Sequence, residues 1–162
     1  MDTRLKEAVR LRGVGEKEAS RQLLLDLVRE YPTNADVLYQ CAWTHDGLGR
    51  EREAVGFYER AISAGLSGQD LAGAYLGLGS TLRGLGKYEM ATEVLEKGVG
   101  SFPENRPLQV FLAMALYNVG RSKESVSGLL RLLVDTSSDS AITDFSRAIR
   151  LYAEDLDRIW KN

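Results

Sequence analysis

The sequence predicts an all-α fold, a right-handed superhelical stack of helix hairpins. Two observations carry this. A short glycine-containing segment recurs at nearly constant intervals, and apolar residues on both sides of it recur with the helical period. The chain has 162 residues, 44% apolar and 27% charged, with a formal net charge of −2. That is enough apolar content for a buried core in one domain, and too little positive charge for electrostatic wrapping of nucleic acid.

The recurring segments are Gly13-Val14-Gly15, Gly47-Leu48-Gly49, Gly84-Leu85-Gly86 and Asn118-Val119-Gly120. Their second glycines are 34, 37 and 34 residues apart. A second landmark also repeats: Tyr31-Pro32-Thr33-Asn34 and Phe102-Pro103-Glu104-Asn105 each lie 17 residues past a glycine of the series. The units therefore run about 1–34, 35–68, 69–105 and 106–137.

Each unit reads as two helices joined at the glycines, which tolerate the positive φ of a helix end. Asn118, the next best residue for that conformation, replaces the first glycine of the fourth unit. Before the turn, Val37, Leu38, Cys41, Ala42 and His45 share one face, as do Leu108, Leu112, Ala113 and Leu116. After it, Ala54, Phe57, Tyr58, Ala61 and Ile62 repeat the pattern. Small residues fall where helices cross: Ala42, Gly79 and Ala113 in the first helices, Ala54, Ala91 and Ser125 in the second. In the first unit Ala19 stands one place early for this register, and Glu7 takes the place of Cys41, Leu78 and Leu112. Between the second and third units, Gly65 suits a helix end, and Ser67 with Asp70 reads as a capping box.

These residues resemble the tetratricopeptide repeat family, whose 34-residue unit is a helix hairpin with small residues at these crossings. The resemblance covers residues 1–137. Residues 138–162 continue as one amphipathic helix, with Ile142, Phe145, Ile149, Tyr152, Leu156 and Ile159 on its apolar face. A repeat array needs a polar-faced terminal element, and this helix is expected to be that cap.

Catalytic and cofactor chemistry find little support. Cys41 and His45 are the sole cysteine and histidine. Two side chains cannot close a structural zinc site, and both fall on a core face. The Gly-x-Gly pairs lack the preceding strand and third glycine of a dinucleotide fingerprint. Gly79-Ser80-Thr81-Leu82-Arg83-Gly84 continues with Leu85 and Gly86, so it lacks the Lys and Ser/Thr of a phosphate loop. No enzyme, metal or cofactor is expected. No membrane span or nucleic-acid partner is expected either, and without an apolar leader at the N-terminus the expected location is cytoplasmic.

The resemblance places a binding groove on the concave face, lined by the first helix of each unit. Leu5, Tyr39, Leu76 and Val110 form its first row, and Val9, Trp43, Ser80 and Met114 its second. Arg12, Asp46, Arg83 and Tyr117 follow one turn later. Relatives that clamp the C-terminal carboxylate of a chaperone peptide use Lys, Asn and Arg in this groove. Here Leu5, Val9, Gln40, Gly73 and Gly77 occupy those places, so no such clamp forms. The expected function is a protein-interaction adaptor holding an apolar peptide or amphipathic helix, with Tyr39, Trp43, Met114 and Tyr117 as anchors. The alternative is a homodimeric scaffold in which a second copy buries that apolar surface.

Overall fold

In the computed structural model, which describes residues 3–160, all regular structure is helical. Residues 1, 2, 161 and 162, the extremities of the expected first hairpin and cap, lie outside the described residues. The helices are α1 (Thr3–Gly13), α2 (Lys17–Glu30), α3 (Ala35–Asp46), α4 (Glu51–Ser63) and α5 (Gly68–Gly84). They continue as α6 (Tyr88–Ser101), α7 (Arg106–Asn118), α8 (Ser122–Thr136), α9 (Ser140–Thr143) and α10 (Ser146–Glu154). The first eight pack as consecutive hairpins, each resting on the next. The result is an α-α superhelical array; α1, α3, α5 and α7 are its A helices, and α2, α4, α6 and α8 its B helices.

The turns share one bonding scheme. In the third hairpin the Gly86 amide donates to the Arg83 carbonyl (3.0 Å) and the Lys87 amide to the Leu82 carbonyl (2.9 Å), a Schellman ending. The other three turns repeat it, and in all four the second glycine carries the positive φ, between 70° and 91°. The first position of each pair stays helical in φ, so Asn118 is not needed for a left-handed turn. Its side chain accepts from Arg83 instead (2.8 Å). Asn34 and Asn105, from the second landmark, are N-caps whose side chains accept the Val37 and Leu108 amides (3.0 and 3.1 Å). Gly65 has φ 90° after α4, but Ser67 makes no capping bond at the start of α5.

The first hairpin is as regular as the rest. Ser20, and not Ala19, occupies its crossing; it is fully buried and its hydroxyl donates to the Ala8 carbonyl (2.7 Å). Ser125 does the same to Ala113 in the fourth hairpin (2.6 Å). A serine there serves as a small residue because the A-helix carbonyl satisfies its hydroxyl. Cys41 and His45 sit in the core as the pattern implies. The His45 Nδ1–H donates to the Cys41 carbonyl (2.7 Å), its ring lies 5.0 Å from Phe57, and burial pushes the Cys41 thiol up to about 12.

The C-terminal segment departs from expectation. One continuous helix is replaced by α9 and α10, broken at residues 144 and 145. The Phe145 amide bonds back to Ile142 (3.0 Å), and the Ser146 hydroxyl takes the Thr143 carbonyl that an unbroken helix would use. Asp155 then ends α10 in an extended conformation, accepting the Asp157 amide (3.1 Å), so Leu156 and Ile159 are not helical.

Nor does α10 close the end of the array. It meets α8 through the Ser127 hydroxyl on the Ala153 carbonyl and Asp135 on Arg150, and the segment after it adds Asp157 on Lys123. Counterparts of Lys123, Ser127 and Asp135 in α4 and α6 are Arg52, Gly56, Ala64, Glu89, Glu93 and Ser101, all exposed. α10 thus lies on the outer side of α8, and a cleft of about 640 Å³ separates it from Val99, Leu112 and Leu116.

Candidate functional site

The A-helix face assigned to the groove has two layers, one a buried platform and the other on display. In the first row Leu5 and Tyr39 are buried, contrary to their expected role in lining an open groove. Leu76 is half-buried, and Val110 is exposed. Tyr39 is buried because the next hairpin has a notch for it. A Cβ on Gly73 would stand 2.2 Å from the Tyr39 hydroxyl, and one on Gly77 would stand 2.4 Å from the Tyr58 ring. A side chain at either place would have to push a tyrosine aside, and these are the positions where the chaperone-binding relatives carry cations. The rings of Tyr39 and Tyr58 lie 6.3 Å apart, and together they key α3 and α4 into α5.

Trp43 stands one turn along α3 from Tyr39, 49% exposed. Its ring leans on Tyr39 (centroids 5.9 Å, planes 35° apart) and the Arg12 guanidinium covers it at 4.2 Å. Arg12 is held by the Gln40 carbonyl (3.2 Å), the Gln40 side chain (2.6 Å) and the Thr44 hydroxyl (3.1 Å). Among the described residues it makes no ion pair, and burial lowers its pKa without discharging it. Of the rest of this row, Val9 is exposed while Ser80 and Met114 are half-buried.

In the third row, Asp46 accepts the Thr81 hydroxyl (3.0 Å) and faces the Tyr58 hydroxyl; burial pushes its carboxyl above the usual range. Arg83 donates to Asn118 and, like Arg12, has no carboxylate partner among the described residues. Tyr117 is 67% exposed. The structure therefore gathers Arg12, Tyr39 and Trp43 around one ring, while Tyr117 and Met114 belong to the last hairpin. The residues that steady this set, Gln40, Thr44, Tyr58, Thr81 and Asn118, were not singled out as site residues. Gly73 and Gly77 were the available signal, since glycines inside a helix mark a large neighbour.

Among the described residues there is no cluster of three or more metal-ligating side chains, and no helix is long and apolar enough to cross a membrane. Solved structures with the same architecture include YrrB, described as a TPR protein with an unusual peptide-binding site. It has TM-score 0.74 and 19% identity over 96% of this chain and 77% of that one. MamA has TM-score 0.70 and 18% identity over 99% and 78%. TTC0263, a thermophilic TPR protein of Thermus thermophilus, has TM-score 0.59 and 21% identity over 95% and 92%. No curated protein matches the sequence at a significant level. The family model described as Tetratrico peptide repeat matches residues 35–156. With that match and the four glycine-turn hairpins, the chain belongs to the tetratricopeptide repeat family.

Proposed function

We propose that this protein is a non-catalytic interaction module whose concave face docks an apolar segment or amphipathic helix of a protein partner. The half-exposed Trp43, backed by Tyr39 and covered on one face by Arg12, is the observation that carries this reading. A large ring held rigid before binding loses little entropy when it docks, which is why aromatic residues dominate interface hot spots. Val9, Met114 and Tyr117 extend the apolar strip. Arg12 and Arg83, lacking carboxylate partners, favour acidic side chains flanking the apolar part of the ligand. The likeness to YrrB, itself described as having a peptide-binding site, supports the reading at the level of fold. Tyr39 belongs to the platform and is not an anchor.

A random peptide library displayed on phage and selected against wild type and Trp43→Ala tests this. Peptides enriched on wild type should be lost on Trp43→Ala while its melting temperature barely changes. Equal enrichment on both proteins would contradict the reading. If nothing enriches, and Trp43 emission in a Trp160→Phe variant shifts blue with rising protein concentration, a second copy covers this face instead.

A further inference from the structure

The two ends of the array differ in chemistry. Along α8, Val126, Leu129 and Leu133 form an exposed apolar stripe. In the repeat register Leu129 is the counterpart of Leu24, Tyr58 and Leu95, whose exposures are 0%, 2% and 0%. Tyr58 lies against Gly77 of the next A helix, and Leu95 against Gly79 of its own. Leu129 is 41% exposed because, among the described residues, no helix takes the place of a fifth A helix and α10 lies on the outer side of α8. Val110 of α7 is exposed for the same reason. Its counterparts Leu5 and Tyr39 are buried, and Tyr39 lies against Tyr58, the counterpart of Leu129. The end of the array is thus a ready-made helix-docking face left uncovered.

We propose that this face is covered by the same face of a second copy, giving a two-fold, tail-to-tail dimer. Head-to-tail stacking would set α1 in the place of the missing helix. The positions by which A helices meet the preceding hairpin are Thr3, Lys6 and Arg10 in α1, and all three are exposed. Burying Lys6 and the Arg10–Glu7 ion pair (2.7 Å) against Val126, Leu129 and Leu133 would strip water from charged groups in an apolar contact. A two-fold pairing instead sets apolar against apolar. The stripe Ser122, Val126, Leu129, Leu133 and Thr136 carries no charge, and its steps of four and three residues are those of a helix-packing seam. Run antiparallel about Leu129, it brings Leu129 opposite its own equivalent and Val126 within one residue of Leu133 of the second copy. Helices of 13 and 15 residues offer a face roughly 20 Å by 20 Å. The contact then buries on the order of 800 Å² in total, in the range of weak, transient interfaces, so the dimer is expected to be readily reversible.

Sedimentation velocity from about 1 μM to about 500 μM should show a monomer–dimer equilibrium in wild type. Leu129→Lys and Leu129→Glu should each sediment as monomers at every concentration, with unchanged circular dichroism and melting temperature. Their equimolar mixture should dimerise again, because under the two-fold the new charges meet. A wild type that is monomeric throughout overturns the proposal. So does a dimer that survives both Leu129 variants, or one removed by Trp43→Ala, which would place the contact on the concave face. Restoration in the mixture also shows that both variants are folded.

Discussion

Leu95 and Leu129 are the same residue at the same place in consecutive repeats, and they live in opposite environments. Leu95 is fully buried: a Cβ on Gly79 would stand 2.4 Å from its Cγ. Leu129 is 41% exposed. Repeat position sets which way a side chain points, and the neighbouring hairpin decides whether that direction is core or surface. In an array whose units touch only their neighbours, stability is local.

Substitution should separate the two leucines sharply. Leu95→Ala leaves a cavity at a filled crossing and is expected to cost about 2–5 kcal/mol in urea unfolding. Leu129→Ala is expected to stay within about 0.5 kcal/mol. Equal losses at protein concentrations where the chain is monomeric would mean that the end of the array is covered within a single chain.

A smaller effect is expected between the second and third hairpins. Gly77→Ala pushes a methyl group into the Tyr58 ring and should cost about 1–3 kcal/mol. Tyr58→Leu, which copies the third hairpin, should recover part of that loss when combined with Gly77→Ala. Simple additivity of the two would show that the ring and the notch are not coupled.

The mildest change is in pH. Burial lowers the pKa of His45 below the 6.5 of a free imidazole, although its bond to the Cys41 carbonyl works the other way. The unfolded chain therefore takes up a proton at higher pH than the folded one. The stability contributed by neutral His45 is fully present above about pH 6.5 and declines as pH falls below it. Between pH 7.5 and 5.5 the melting temperature should fall in wild type and fall less in His45→Leu, which supplies the residue found at Leu82 and Leu116. Identical slopes would exclude His45 as the source.

The hairpins were legible in the sequence because glycine at a helix end and asparagine at a helix start are local requirements. The break after Thr143 was not, since the apolar spacing from Ile142 to Ile159 continues through it. There the side chains of Ser146 and Asp155 compete for backbone partners, and spacing does not register that competition. The site shows the same limit. The rows of A-helix residues follow from register alone, whereas the burial of Tyr39 depends on Gly73, 34 residues away. Arg12 likewise finds Gln40 and Thr44 across a hairpin boundary, so its placement over Trp43 is a tertiary fact.

Equilibrium urea unfolding of Tyr39→Ala and Trp43→Ala, side by side, tests most directly whether the face is a buried platform that displays one ring. The two residues are four apart on one helix and both are aromatic. Tyr39→Ala should cost about 3–5 kcal/mol, because it empties the notch at Gly73 and removes support from Tyr58. Trp43→Ala should cost no more than about 1 kcal/mol, because half of its ring already faces solvent. Losses of equal size, or a larger one at Trp43, would make Trp43 part of the core and leave the concave face without its anchor.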